Sequence, residues 1–280
     1  MNPDHQQSTP RARVAFITGA AGGIGRGIAE HLAELGYSLG LSDISEVALQ
    51  TVANDIADAT GVAVSARAAD LADRQSIQAA VDATVADLGG LDVLVNCAGI
   101  LKDARIEKMD PAVFRQVIEV NLIGMLTTTA AALPALRCSG SGRIISLTSR
   151  AWLGNFGSTN YAASKGGIAG VSRSLSLSLA PDGITVNCIA PGFIETPMSN
   201  SMPAHILDRV RHSIPVGRVG RPIDVARAVA FLGDANAGYV TGQSIPVCGG
   251  RSISGSIRKD TVSAQREDSS GRCPEDRPFS

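Results

Sequence analysis

The sequence lacks any long uninterrupted run of apolar residues, and it has almost no net charge. Of its 280 residues, 44% are hydrophobic and 18% are charged, with 25 Lys and Arg against 26 Asp and Glu. A membrane-spanning helix needs roughly 20 consecutive apolar residues, and a surface for nucleic acid or anionic lipid needs an excess of positive charge. We therefore expect a soluble protein that acts on a small molecule, without nucleic acid or a membrane as partner.

The sequence also lacks cysteine pairs that would hold a metal or build a disulfide framework. The five cysteines are odd in number and widely spaced, without a Cys-x-x-Cys pair: Cys97, Cys138, Cys188, Cys248 and Cys273. This spacing indicates reduced, packed thiols and no metal site. Residues 1–13 have no apolar core of the kind that a secretory signal requires, so we expect a cytoplasmic protein.

Short apolar runs alternate with longer stretches of helical periodicity along most of the chain. Such alternation implies crossover connections, and hence a mostly parallel sheet with helices on both faces. Seven runs are predicted to be strands: residues 14–18, 38–43, 62–66, 91–96, 143–149, 184–190 and 243–247. The predicted fold class is α/β, a single doubly wound domain over residues 13–250. The polar ends, residues 1–12 and 251–280, are predicted to be flexible tails.

A glycine-rich turn connects the first predicted strand to the first helix. Its sequence is Thr18-Gly19-Ala20-Ala21-Gly22-Gly23-Ile24-Gly25. Glycines let the backbone turn tightly and approach a pyrophosphate, whose negative charge is favoured by the free N–H groups of a helix N-terminus. Glycines also serve ordinary tight turns, but the position between strand and helix favours a dinucleotide-binding site.

A carboxylate follows the second predicted strand, where a dinucleotide-binding fold contacts the adenosine ribose. Asp43 can accept hydrogen bonds from the ribose hydroxyls, and it would repel a 2′-phosphate. The turn offers no Lys or Arg to neutralise such a phosphate. The sequence therefore predicts NAD rather than NADP, with a helix cap or a solvated loop carboxylate as the alternative role for Asp43. Asp70, after the third strand, is a candidate for the adenine amino group or a plain loop carboxylate.

Tyr161 and Lys165 lie four residues apart at the start of a predicted helix, so they share one face of it. A free tyrosine titrates near 10, too high for an efficient base at neutral pH, and a nearby ammonium group would lower that pKa. The alternative is a pair of side chains on a solvated helix face, because this spacing is common by chance. The glycine-rich turn, the segment Asn96-Cys97-Ala98-Gly99 and Ser149 favour the catalytic interpretation.

These motifs, in this order, resemble those of the short-chain dehydrogenase/reductase family over about residues 11–250. The set comprises the glycine-rich turn, Asn96-x-Ala98-Gly99, Asn121, Ser149, Tyr161-x-x-x-Lys165 and Pro191-Gly192. The resemblance implies a Rossmann-like domain and an NAD-dependent oxidoreductase that interconverts secondary alcohols and ketones. Members similar to 3-oxoacyl-[acyl-carrier-protein] reductases, and 3-hydroxyacyl dehydrogenases, are a prominent variant with the same active site.

The resemblance implies four catalytic residues. Tyr161 would be the general acid/base, and Lys165 would bind the nicotinamide ribose and depress the tyrosine pKa. Asn121 would distort its helix and hold a water that links Lys165 to solvent, with a buried capping amide as the alternative. Ser149 would hold the substrate oxygen. It stands one residue closer to Tyr161 than in most members, so Thr148 remains the second candidate for the catalytic hydroxyl.

The same resemblance implies the residues that contact the cofactor. The glycine-rich turn would bind the pyrophosphate, and the segment after the sixth strand would contact the nicotinamide, with the Thr196 hydroxyl on its carboxamide. No metal is needed. The predicted cofactor-binding set is Gly19, Gly23, Ile24, Gly25, Asp43, Asp70, Leu71, Asn96, Ala98, Gly99, Tyr161, Lys165, Pro191, Gly192, Ile194 and Thr196.

Two segments, residues 150–157 and 193–213, are predicted to select the substrate. The second, which carries Met198 and Met202, is typical of a lid or of a helix packed on the core. In the first, aromatic side chains would line an apolar pocket or belong to the core. Arg150 would pair with a substrate carboxylate or phosphate, or form a surface salt bridge.

Two further expectations concern function and assembly. A non-catalytic NAD-binding sensor or scaffold of the same fold is the alternative function, but it predicts a broken catalytic set, whereas all four residues are present. The helix over residues 162–170 is rich in small residues and permits close helix packing. We therefore expect a homotetramer, or a homodimer.

Overall fold

The first apolar run forms β1 (Val14–Thr18), in which all five residues are buried. The computed structural model describes residues 11–196 and 204–254. The strands that follow β1 in this part of the chain are β2 (Ser38–Ser42), β3 (Val64–Ala66), β4 (Val93–Asn96), β5 (Arg143–Leu147), β6 (Thr185–Pro191) and β7 (Ser244–Val247). All pair in parallel within one sheet. The predicted seven-stranded sheet is confirmed.

The order of the strands in the sheet is β3-β2-β1-β4-β5-β6-β7. From β1 to β3, the chain adds each strand on one side of β1. It then crosses to the other side of β1, where it adds β4 to β7 in order. Where the order reverses, the connections leave on opposite faces of the sheet, and a crevice opens at the carboxyl ends of the strands. The topology therefore places the candidate site above β1 and β4.

Helices cover both faces of the sheet. They are α1 (Gly23–Glu34), α2 (Glu46–Thr60), α3 (Arg74–Leu88), α4 (Pro111–Ile118), α5 (Gly124–Cys138), α6 (Thr159–Leu179), α7 (Ala204–His212) and α8 (Pro222–Gly233). Alternate residues of β1 point to opposite faces. Ala15 and Ile17 pack with α1, α2 and α8, whereas Val14 and Phe16 pack with α3, α5 and α6. The result is a doubly wound, Rossmann-like domain.

β2 and β5 end earlier than their apolar runs predict, and the residues beyond their ends contribute to the site. The ladder between β1 and β2 ends at Thr18 and Ser42, and the ladder between β5 and β6 ends at Leu147 and Ile189. The residues that follow are released from the sheet and line the crevice. Asp43 and Ser149, which continue hydrophobic runs in the sequence, are therefore loop residues at its rim.

A helical run connects α4 to α5 through a π turn, Glu119–Ile123. Within the described residues, the run Pro111–Cys138 is long and apolar enough, by length and composition alone, to cross a membrane. Its C-terminal half packs on one face of the sheet, where Ala132 and Leu136 are fully buried beside α3. This core contact accounts for part of its apolar composition.

The start of the described chain is anchored at Arg11, inside the segment that the sequence predicts to be a tail. The Arg11 guanidinium donates hydrogen bonds of 2.7 and 3.1 Å to Asp92. The Ser139 hydroxyl and the Val14 N–H donate to the same carboxylate. Burial raises the pKa of Asp92, but these donors lower it by more, and the net shift is downward. Ordered structure therefore begins at least two residues before the predicted domain boundary at residue 13.

Gly40 in β2 lets α3 lie close against the sheet. A β-carbon at this position would collide with the Thr84 side chain of α3 and would lie 2.8 Å from the Phe16 ring of β1. Thr84 is itself held in place, since its hydroxyl donates to the Ala80 carbonyl at 3.0 Å. The neighbours of Gly40 therefore have little freedom to move away.

Gly40→Ala is expected to lower the free energy of unfolding by about 1–3 kcal/mol, because overpacking forces strain on the surrounding core. Urea denaturation of the purified protein measures this change. The cost should be smaller in a Thr84→Ala background, in which the principal colliding atoms are missing, and a double-mutant cycle reports the coupling. Equal costs in the two backgrounds would contradict the proposed collision.

Candidate active site

The crevice at the carboxyl ends of the strands forms one cleft of about 1200 Å³. Its walls come from the segments that follow β1 to β6 and from α6. The predicted site residues that line it are Gly19, Gly23, Ile24, Gly25, Asp43, Asp70, Leu71, Ala98, Gly99, Thr148, Ser149, Tyr161, Lys165, Pro191, Gly192, Ile194 and Thr196. Asn96 and Asn121 do not line it. The tertiary fold thus brings nearly all of the predicted set to one cavity.

Close backbone contacts require the glycines of the turn after β1. Gly19 has a φ of 68°, and a β-carbon on it would lie 2.8 Å from the Ala98 Cα. A β-carbon on Gly25 would collide with the Gly19 carbonyl. The N-cap of α1 is Gly22, which has no side chain to occupy the first-turn N–H groups. A backbone cradle of this kind, at a helix N-terminus, fits the pyrophosphate of a dinucleotide.

The Asp43 carboxylate is held at the edge of the cleft by two backbone donors. Its Oδ2 accepts from the Ala21 N–H at 3.0 Å, and its Oδ1 accepts from the Ser45 N–H at 3.2 Å. The first bond joins Asp43 to the glycine-rich turn, and the second supports the residue that precedes α2. The carboxylate therefore has a structural role, in which it joins the turn after β1 to the segment before α2, and it also lines the cleft.

Asn96 does not line the cleft, and its role as a cofactor-binding residue stays a prediction. It is 5% exposed, and its amide nitrogen donates to the hydroxyls of Thr129 and Ser146. The last residue of a central strand faces the helix layer rather than the crevice, so Asn96 links β4 to β5 and α5. The residue after it, Cys97, lines the cleft instead. Burial raises the pKa of that thiol to about 12, so it stays protonated.

The segment after β4 is held by a residue that the sequence analysis did not single out. The Thr18 hydroxyl accepts hydrogen bonds from the N–H groups of Cys97 at 3.1 Å and Ala98 at 3.2 Å. Thr18 ends β1, so this contact joins the two strands at the switch point. In the sequence, the signal for this contact was a hydroxyl residue directly before the first glycine of the turn.

Tyr161 and Lys165 lie in the first turns of α6, on the face toward the cleft. Asn160 fixes this end of the helix, since its amide oxygen accepts from the Tyr161 N–H and its amide nitrogen donates to the Lys102 carbonyl. Lys165 is 3% exposed, and its ammonium group donates to the Leu147 carbonyl at 2.7 Å. Its Nζ lies 5.6 Å from the centroid of the Tyr161 ring. The predicted pairing on one helix face is confirmed.

Burial dominates the proton affinities of both groups. It raises the pKa of Tyr161, and a hydrogen bond from the Ser149 hydroxyl lowers it only in part. Burial also lowers the pKa of Lys165 to about 8. In the protein alone, desolvation of the phenol exceeds every stabilisation of the phenolate, so the pKa of Tyr161 is raised. The expected lowering of this pKa by Lys165 stays a prediction. Lys165 lies beside the ring and donates to the end of β5.

The two candidate hydroxyls after β5 have different surroundings. Thr148 is 3% exposed, and its hydroxyl donates to the Ile189 carbonyl of β6 at 3.0 Å. The Ser149 hydroxyl accepts from the Ala151 N–H at 3.1 Å and is hydrogen-bonded to Tyr161. Only Ser149 therefore joins the tyrosine, and the choice of Ser149 over Thr148 is supported by the geometry.

Asn121 lies behind the cleft, in the π turn, and the predicted distortion of its helix is confirmed. Its Oδ1 accepts from the Ile100 N–H at 2.7 Å, and its Nδ2 donates to the Ile100 carbonyl at 3.0 Å. Gly99 separates this amide from Lys165, since a β-carbon there would lie 3.1 Å from Asn121 Oδ1 and 3.4 Å from Lys165 Nζ. The asparagine therefore fixes the loop beside the lysine, and its proton-relay role stays a prediction.

The segment after β6 forms the wall of the cleft opposite the glycine-rich turn. Pro191 ends β6, and a β-carbon on Gly192 would lie 2.8 Å from the Cys248 Cα, in the turn that follows β7. Ile194 is 7% exposed and bridges to Gly220. Thr196 is the last residue described before a gap, and Met198 and Met202 lie outside the described residues.

The aromatic residues of the segment 150–157 do not wall the cleft. Phe156 is 84% exposed, with the Arg105 guanidinium 5.2 Å from its ring centroid. Trp152 is half-buried beneath Arg173 of α6, 5.8 Å from its ring centroid. Neither lines the cleft, so a role of these rings in an apolar substrate pocket finds no support within the described residues.

Comparison with known proteins shows which proteins share this architecture and these motifs. Residues 19–252 match a protein-family model described as Enoyl-(Acyl carrier protein) reductase. The chain is 37% identical over 241 residues to (2S)-[(R)-hydroxy(phenyl)methyl]succinyl-CoA dehydrogenase subunit BbsD of Thauera aromatica, covering 86% of this chain and 97% of the relative. It is 40% identical over 238 residues to the 3-oxoacyl-[acyl-carrier-protein] reductase FabG of Staphylococcus aureus, covering 84% and 96%.

A solved structure supports the same conclusion. The crystal structure of levodione reductase superposes with a TM-score of 0.83 at 31% sequence identity, covering 88% of this chain and 100% of that one. Fold, motif order and extended sequence identity agree along the whole described domain. The chain belongs to the short-chain dehydrogenase/reductase family, and it is similar to the FabG 3-oxoacyl-[acyl-carrier-protein] reductases.

Proposed function

We propose that the protein is an NAD(H)-dependent oxidoreductase that interconverts a secondary alcohol and a ketone. Members of its family act on CH–OH groups, and the choice of NAD over NADP is our own inference. The observation that carries the proposal is the meeting of Ser149, Tyr161 and Lys165 at one end of a dinucleotide-sized cleft. A 3-oxoacyl thioester or 3-hydroxyacyl compound is a candidate substrate, since FabG and BbsD carry such names.

The protein's own groups supply orientation and proton transfer. Ser149 would hold the substrate oxygen, and the Tyr161 hydroxyl, which is hydrogen-bonded to Ser149, would exchange its proton with that oxygen. Lys165, which is buried against the end of β5, would present its ammonium group to a ribose hydroxyl and to the phenolate. A nicotinamide dinucleotide held in the cleft would supply the hydride chemistry. In the direction of oxidation the tyrosine takes the proton, and in reduction it gives it.

The preference for NAD rests on the charges near Asp43. A carboxylate fixed by two backbone N–H groups would accept hydrogen bonds from ribose hydroxyls and repel a 2′-phosphate. The nearest arginine along the chain, Arg26, is already bound to Glu30 at 2.7 Å and Asp55 at 3.0 Å. Among the cleft-lining residues that the structure describes, the cationic ones are Lys102 and Lys165, and neither forms a salt bridge with Asp43.

We also propose a homotetramer, or a homodimer. The face of α6 that is not in the core carries small residues, and β-carbons on Gly166 and Gly170 would meet nothing within 4 Å. Such a face permits a second helix to approach closely.

Tyr161→Phe is expected to reduce kcat by about three orders of magnitude while NADH binds as before, since general acid–base catalysis contributes factors of that size. Turnover is followed by NADH absorbance, and binding by NADH fluorescence. Tyr239→Phe serves as the matched control, because Tyr239 is fully exposed. Turnover that survives in the Tyr161 variant would refute the proposed mechanism.

Asp43→Ala is expected to raise the KM for NADH by about tenfold or more, because a charged acceptor of hydrogen bonds is lost. The wild-type protein should use NADH with a higher kcat/KM than NADPH, and the variant should lose much of this difference. Asp58→Ala removes the same charge from an exposed position of α2 and should change neither constant. A wild-type preference for NADPH would overturn the choice of cofactor.

The buried Lys165 predicts a specific pH dependence of stability. Its pKa is about 8 in the folded protein and 10.5 ordinarily, so folding disfavours the protonated form. The unfavourable contribution is complete below pH 8 and disappears as the pH rises toward 10.5. From pH 7 to pH 10.5, wild type should therefore gain on the order of 3 kcal/mol in unfolding free energy relative to Lys165→Met.

Urea denaturation at both pH values measures this difference, and Lys102→Met provides the control for loss of an exposed amine. A constant difference between wild type and the Lys165 variant across this range would show that the ammonium group is not desolvated by folding.

A further inference from the structure

A buried hydroxyl lies in α6 between the two proposed catalytic side chains of this helix. Ser164 directly precedes Lys165 and is fully buried. Its hydroxyl donates a hydrogen bond of 2.8 Å to the Tyr161 carbonyl, and its oxygen accepts one of 3.1 Å from Asn121 Nδ2. Ser164 does not line the cleft. It nevertheless contacts the backbone of one proposed catalytic residue and the side chain of another.

The single proton of this hydroxyl determines which way the Asn121 amide faces. Because the Ser164 proton is bound to the Tyr161 carbonyl, the hydroxyl oxygen must be the acceptor toward Asn121. Only the nitrogen end of a side-chain amide can donate to that oxygen. The opposite end, Oδ1, then meets the Ile100 N–H at 2.7 Å. Ser164 therefore supports the orientation in which Asn121 binds the loop after β4.

The loop after β4 is attached to the backbone of Tyr161 on both sides. On the N–H side, the amide oxygen of Asn160 accepts from Tyr161, and its amide nitrogen donates to the Lys102 carbonyl at 2.8 Å. On the carbonyl side, Ser164 and Asn121 complete the link to the same loop. Residues of this loop line the cleft. The tyrosine and one wall of the cleft are therefore held together as a unit.

We propose that Ser164 is a positioning residue, which keeps Tyr161 at a fixed place relative to the loop after β4. The inference rests on the proposed oxidoreductase function, because proton transfer to the substrate oxygen depends on where the phenol lies. A misplacement of about 1 Å can slow a reaction on the order of 100-fold. Without the hydroxyl, the Asn121 amide is free to reverse and the loop is free to shift, although every group that lines the cleft is retained.

The test uses two matched serine variants of the full-length chain. Ser164→Ala removes the hydroxyl and keeps a good helix former. Ser176→Ala is the control, because Ser176 lies in the same helix, is 3% exposed and donates to a carbonyl three residues earlier, that of Arg173, at 2.7 Å. Within the described residues, Ser176 does not line the cleft. A general cost of losing a buried hydroxyl from α6 should therefore appear in both variants.

The activity measured is the reduction of acetoacetyl-CoA, a 3-oxoacyl thioester, by NADH. In Ser164→Ala, kcat should fall at least about tenfold, while the KM for NADH changes by less than about twofold, since the glycine-rich turn and Asp43 are untouched. In Ser176→Ala both constants should stay as in wild type. In an Asn121→Ala background, Ser164→Ala should cause no further loss, because Ser164 acts through that amide.

Three results would overturn the proposal. They are an unchanged kcat in Ser164→Ala, an equal loss of kcat in Ser176→Ala, and an equal effect of Ser164→Ala with and without the Asn121 side chain. The last result would show that the serine acts independently of the loop after β4.

Hydrogen exchange separates this proposal from the proposed function, because it needs no turnover. The Ile100 N–H is bound to Asn121 Oδ1, so its exchange reports local opening of the loop. Deuterium uptake of peptides that cover residues 97–104, read by mass spectrometry, should be faster in Ser164→Ala and unchanged in Ser176→Ala. If wild type reduces no ketone, the oxidoreductase proposal fails and this measurement decides alone. Faster uptake in Ser164→Ala only supports the attachment, and equal uptake in all three proteins contradicts it.

Discussion

A buried ammonium group hydrogen-bonded to the end of a strand holds the active site of this protein together. Lys165 is 3% exposed, and it spans from α6 to the Leu147 carbonyl, where β5 leaves the sheet. Because a desolvated charge needs a fixed acceptor, this bond sets how α6 lies on the sheet. That orientation in turn puts Tyr161 beside Ser149, and it leaves room at Gly99 for Asn121 to approach from the other side.

The cleft depends on a second constraint, the close approach of backbone to backbone at the switch point. Gly19 meets the Ala98 main chain, and the Thr18 hydroxyl caps the N–H groups of the β4 loop. These contacts bring the turn after β1 and the loop after β4 into one continuous wall. A carboxylate, Asp43, then fastens the same turn to the end of β2 through its bond to Ala21. The structural role of Asp43 and its proposed role in cofactor recognition would therefore use the same side chain, and a substitution there would affect both.

The proposed catalytic residues and the segments predicted to select a substrate are held in different ways. Tyr161, Lys165 and Asn121 are anchored to helices and strand ends by several hydrogen bonds each or by deep burial. Phe156 and Leu153, in the loop after Ser149, are exposed, and the second selective segment is described only in part. Relatives at similar identity include a succinyl-CoA dehydrogenase subunit and 3-oxoacyl reductases. This diversity agrees with a rigid chemical centre whose surroundings vary.

The sequence by itself determined the fold class, the glycine-rich turn and the pairing of the proposed catalytic tyrosine and lysine, because each depends on local spacing. The local patterns are alternating apolar runs, glycines between strand and helix, and a tyrosine four residues before a lysine. Only the tertiary structure decided which polar side chain at each strand end faces the cleft. Asn96 turns toward Thr129 and Ser146, while Asp43 and Ser149 reach the cavity. The raised pKa of Tyr161 likewise arises from burial. These are long-range properties that no local pattern in the chain encodes.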